Sequence, residues 1–134
     1  MGVFGFFKKR KSELSREQKK WNKMWDLWAE NRADTPYAEV MTYQSEVNNG
    51  GHDQYFLNVE QTGDLQAEIS ILESVLSEEL RSNLLTAYDA YQMLADKESD
   101  EEWEAILERC DDVFFKNEEE INRILKAYAA KIEL

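Results

Sequence analysis

The sequence has little of what most catalytic and metal chemistry is built from. A single cysteine, Cys110, in 134 residues rules out an internal disulfide framework. With only one histidine, His52, a four-ligand Cys/His zinc site, a paired-His metal helix and a Glu-x-x-His di-metal pattern are all excluded. One proline and five glycines leave few positions where regular structure must break. There is no alternating β-branched run, no hairpin dipeptide between apolar strands and no repeat of fixed period. No stretch approaches the roughly 20 apolar residues that cross a bilayer. Met1 to Phe7 is apolar but shorter than a signal h-region, and its basic cluster, Lys8 to Lys11, follows it instead of preceding it. These absences predict a cytoplasmic protein of a reducing compartment.

What is present is apolar surface, helical periodicity and negative charge. A hydrophobic fraction of 43% with 12% aromatic suffices for one core, and a chain of this length buries roughly two thirds of its unfolded surface. The charge is unevenly placed. Residues 1–33 hold nine Lys/Arg against four Asp/Glu, whereas residues 34–134 hold seven against twenty-four, so a +5 segment precedes a −17 body. A body this acidic repels nucleic acid and anionic lipid and steers basic proteins toward itself. The chain therefore divides into a basic, Trp-rich tip and amphipathic helix over 1–33 and an acidic helical domain over 34–134.

Helix signals follow one another along the chain. Ser15 and Gln18 form a capping box, and Leu14, Trp21, Met24, Trp25 and Trp28 share one face of a helix reaching about Arg32. Arg16, Lys19, Lys20 and Lys23 lie opposite. Thr35 is the expected N-cap and Pro36 the first position of the next helix, with Tyr37, Val40, Met41, Gln44 and Val47 on its inner face. Asn48-Asn49-Gly50-Gly51 is expected to end it at a rigid corner, with His52 exposed there and a short helix carrying Tyr55, Phe56 and Val59 beyond. Asp64, Ser77, Ser99 with Glu102, and Asn117 with Glu120 then read as starts of four further helices. Their stripes run through Ile69 and Leu72, Leu80 and Leu84, Trp103 and Phe114, and Ile121 and Tyr128. The expected fold is an all-α bundle of six to seven helices.

Candidate sites are few. Cys110 falls within an apolar stripe, where a thiol packs as a small hydrophobe, so it makes no nucleophile pair with His52. Residues 96–120 hold twelve acids and three bases, but Asp96 to Glu108 lacks the glycine and alternating oxygen ligands of a calcium loop. The Gly-Gly pair lacks the Lys-Ser/Thr of a phosphate loop and follows a helix instead of a strand. Position 6 is Phe, so Gly2 does not meet the myristoylation pattern. On the helix opened by Ser99, Glu101, Glu104, Glu108, Asp111 and Asp112 form one flank, with Glu118, Glu119 and Glu120 at the next helix start. Such a flank is either a solvated face or an imitation of a phosphate backbone. Its acids rise by roughly 5 Å each, against one charge per ~1.7 Å of duplex DNA, so mimicry requires several helices or two copies of the protein.

The run Glu46-Val47-Asn48-Asn49-Gly50-Gly51, continued by Gln54, Tyr55, Phe56 and Asn58, resembles the hallmark of a bacterial DNA-mimic protein-like domain family. Glu46, Asn49, Gly50, Gly51, Gln54, Tyr55, Phe56 and Asn58 match the pattern, and His52 stands where an aromatic is usual. The likeness covers Tyr37 to about Leu134. It implies an all-α acidic domain, commonly a homodimer, whose acidic surface occupies the DNA-binding face of a transcription factor or other basic protein. The favoured reading is a non-enzymatic interaction protein with no cofactor, metal or catalytic residue, no direct nucleic-acid contact and no membrane contact. The alternatives are an enzyme using carboxylates with a divalent metal, and a membrane-surface adaptor anchored by the basic Trp helix.

Overall fold

The computed structural model describes residues 14–96 and 100–134, which form six helices in a single all-α domain with no strand among them. They are α1 (Arg16–Ala29), α2 (Tyr37–Thr62), α3 (Leu65–Val75), α4 (Glu78–Asp96), α5 (Glu101–Lys116) and α6 (Glu118–Ala130). Met1 to Phe7, the Lys8 to Lys11 cluster, Glu98 and the expected Ser99 cap lie outside the described residues.

Three of the expected starts are made as the sequence predicts. Ser15 Oγ accepts from Gln18 N–H at 3.0 Å, Asp64 Oδ1 from Ala67 N–H at 3.1 Å and Ser77 Oγ from Leu80 N–H at 3.3 Å. Two others differ. Thr35 does not cap α2: its hydroxyl donates to Glu39 Oε2 at 3.3 Å, and Pro36 precedes the first helical residue. Asn117 turns its amide back to Val113 O at 2.8 Å, closing α5 instead of capping α6. Asp100 caps α5, accepting from Glu102 N–H at 2.9 Å.

α2 is the hub, packed on α3, α4, α5 and α6. A helix enclosed on several sides needs apolar residues around its circumference, and α2 buries Val40, Met41, Tyr43, Val47, Tyr55, Phe56 and Val59. At the Asn-Asn-Gly-Gly stretch it kinks. Gly50 (φ −156°, ψ 18°) and Gly51 (φ 81°, ψ −179°) leave helical geometry, and the helix resumes to Thr62. Only Gly51 has a left-handed φ, and a Cβ there would sit 2.5 Å from Asp111 Oδ2. The kink redirects the helix so that the two core rings beyond it, Tyr55 and Phe56, are both fully buried.

α4 and α5 form the most closely associated pair, joined by Asn83 Nδ2–H donating to Cys110 O at 2.8 Å. α1 lies on α6, burying Met24 with Trp21, Trp25 and Trp28 half-buried around it. Among the described residues its basic side does not meet acids as charge alone would suggest. Lys20 Nζ donates at 2.8 Å to the carbonyl of Ala130, the last residue of α6, and Lys23 Nζ donates at 2.7 Å to the carbonyl of Glu133 in the tail that follows it. The Ala130 carbonyl carries the negative end of the helix dipole.

Candidate functional site

The family-like motif builds a polar clasp around the kink. Glu46 Oε2 accepts from Asn58 Nδ2 at 2.6 Å and Gln54 Nε2 at 3.1 Å, so one carboxylate spans from the helical turn before the kink to the two after it. Asn49 is exposed. A second carboxylate ties the clasp to α6: Glu118 Oε2 accepts from Asn48 Nδ2 at 2.7 Å and Gln44 Nε2 at 3.0 Å, while Gln44 also donates to Asn122 Oδ1 at 2.9 Å.

His52 corrects the sequence expectation outright. It is fully buried, not an exposed turn residue. Its backbone N–H donates to Asp111 Oδ1 at 2.8 Å, its Nδ1 lies 2.6 Å from the same oxygen, and its Nε2 lies 2.6 Å from Tyr43 Oη. The assignment that gives each hydrogen an acceptor has Nδ1–H donating to Asp111 and Tyr43 O–H donating to Nε2. Burial, with the Cys110 and Asp111 charges added, holds the Tyr43 hydroxyl well above the ordinary tyrosine range, so it stays a donor. Tyr43 and His52 are both closed to solvent. A substrate has no route to them, and the trio acts as a pin between α2 and α5. Cys110 next to it is held at about 11, chiefly by burial and then by Asp111 against an opposing Arg109, which makes it a poor nucleophile at neutral pH.

The proposed acidic flank is therefore divided in use. Asp111 is committed to His52 and Glu118 to the clasp, and Glu120 is only part-exposed, with its Oε2 buried and unpartnered among the described residues. Glu101, Glu104, Glu108, Asp112 and Glu119 remain exposed. The first four recur at intervals of three and four residues along α5, which keeps them on one face. None of them meets a cation among the described residues. Among the described residues the only Lys/Arg–carboxylate pair is Arg32 with Glu30, at 3.8 Å near the end of α1.

Two further carboxylates, which the sequence did not single out, meet on the opposite part of α2. Glu39, in its first turn, and Glu68, in the first turn of α3, line a cleft of about 190 Å³ with Trp28, Asn31, Ala33 and Thr42. Glu68 Oε2 accepts from Tyr55 Oη at 3.4 Å. Burial, then the nearby Glu39 charge, pushes the Glu68 carboxyl up, with the Tyr55 hydrogen bond opposing them. Among the described residues no three His, Cys, Asp or Glu side chains gather as metal ligands, and no helix is long and apolar enough to cross a membrane.

These features define a class: an all-α single-domain protein whose polar motif residues maintain a kinked central helix and whose α5 carries a row of exposed acids without a Lys or Arg partner among the described residues. Within that class the chain belongs to the DMP19-like protein family, whose model matches residues 29–132. The match takes in α2 to α6 and leaves nearly all of α1 outside. No curated protein and no solved structure matches the chain.

Proposed function

We propose that this protein is a non-enzymatic interaction protein that binds a basic, DNA-binding partner, such as a transcription factor, by presenting carboxylates where the partner expects phosphates. The observation that carries this reading is the exposed row Glu101, Glu104, Glu108 and Asp112, which no Lys or Arg neutralises among the described residues. Exposed charge of one sign raises the local concentration of oppositely charged partners and their association rate. It also costs self-repulsion, which a purely solvated face would reduce by interspersing cations. The buried motif residues supply the scaffold and the exposed acids supply the specificity. One α5 row is sparser than a DNA strand, so in this proposal a homodimer brings two rows onto one surface.

The test is capture of partners by the full chain, followed by competition. Duplex DNA is expected to release the captured protein, and ~1 M salt, where the Debye length is ~3 Å, is expected to do the same. Replacing Glu101, Glu104, Glu108 and Asp112 by Lys should abolish capture with the melting temperature kept within a few degrees, because exposed substitutions cost roughly 0.5 kcal/mol or less each. Partners retained through high salt and indifferent to DNA would overturn the proposal.

A further inference from the structure

The cleft between α1, α2 and α3 has an electrostatic fault that the fold leaves uncorrected. Glu39 is only 8% exposed, and its Oε1 is buried with no hydrogen-bond partner among the described residues. Its other oxygen receives only the Thr35 hydroxyl, at 3.3 Å. The second carboxylate of the cleft, Glu68, is no remedy, because the two are not hydrogen-bonded to each other and a proton shared between them would leave such a bond. A buried anion with an idle oxygen beside a second anion is costly unless something positive completes it. The rest of the lining suits a planar cation. Trp28 offers an aromatic face, and its ring is held by Nε1–H donating to Thr42 Oγ1 at 2.9 Å and by an edge contact with Trp25 at 5.4 Å between centroids. The volume, about 190 Å³, is below the roughly 300 Å³ at which sites for drug-sized ligands begin. It fits the head of one side chain.

We propose that this cleft receives an arginine side chain from a protein partner, its guanidinium paired with Glu39 and Glu68 and stacked on Trp28. Guanidinium is the choice among cations because its fork of N–H donors matches carboxylate oxygens and its plane lies flat on an indole, whereas ammonium is a compact, strongly hydrated point charge. The proposal rests on the reading of the protein as a binder of basic partners, and supplies that reading with a specific anchor distinct from the α5 row.

The experiment follows the Trp28 indole N–H cross-peak of the full-length protein by NMR during titration with N-acetylarginine methylamide, with the lysine counterpart and methylguanidinium in parallel. The arginine probe should give a saturable shift, with the lysine probe at least about fivefold weaker. Methylguanidinium alone should bind comparably, since the head group is what the cleft reads. Glu68→Gln should weaken the response about tenfold. Glu39→Gln should abolish it without lowering the melting temperature, since it removes an unpaired buried charge and keeps the shape. A response that drifts without saturating, or that persists unchanged in Glu39→Gln, would overturn the assignment. The titration also separates the two readings. In the α5 charge-reversed variant the Trp28 response should stay within about twofold, whatever happens to capture; its loss there would mean the probe senses only the overall field and would sink the pocket.

Discussion

At the residue scale the molecule is governed by where individual carboxylates are used. Asp111 accepts two hydrogen bonds from one buried histidine, so Asp111→Ala strands two donors at once. The expected cost is about 2–3 kcal/mol, read as a lowered urea midpoint, while Glu104→Ala on the same helix should change stability by less than about 0.5 kcal/mol. Glu68 supplies a pH signature. Its folded-state carboxyl titrates above the ordinary glutamate value of 4.5, so just above that pH the folded chain still holds a proton the unfolded chain has released. This contribution to stability is fully present below pH 4.5 and is lost as pH rises through the folded value. Melting temperatures of Glu68→Gln against the parent, scanned upward from pH 4, should therefore converge at the acid end and separate in the variant's favour above it. No separation would mean the cleft does not disfavour the anion. None of this residue-level detail was legible in advance. The partner of His52 lies 59 positions away, and a glycine-flanked histidine carries no local mark of burial.

At the scale of elements the sequence was far more transparent. Ser15, Asp64 and Ser77 cap as expected because a cap is a contact within three residues, and the 3.6-residue period reports an apolar face wherever one side of a helix is covered. Thr35 and Asn117 broke the rule for the same local reason: each had an alternative partner one turn away, Glu39 in one case and Val113 O in the other. The period is uninformative for α2, whose buried residues surround it. The seating of α1 was half legible: its Trp face packs inward, but Lys20 and Lys23 answer backbone carbonyls at and just beyond the end of α6 and, among the described residues, not side-chain acids. The paired change Lys20→Met and Lys23→Met keeps the aliphatic stems and removes the charges at the helix end and on the tail beyond it. It should lower stability by about 1 kcal/mol at low ionic strength and by less in salt, as measured by thermal melts at both.

At the scale of the whole molecule, a formal charge of −12 with a single Lys/Arg–carboxylate pair among the described residues makes repulsion a property of the entire surface. Added sodium chloride should then act in opposite directions on two measurements. Thermal stability should rise between about 0.02 and 0.5 M salt as like charges are screened, while association with a basic partner weakens over the same range. A protein held together by its surface ion pairs would instead lose stability across that range, and such a result would contradict the charge distribution described above.

The kink at Gly51 extends beyond the bend it makes. The space a β-carbon would need there is filled by the carboxylate that holds His52, so the turn cannot be altered without disturbing the pin. A side chain at position 51 would therefore push the aspartate aside and cost the buried histidine its acceptor as well as straining the turn.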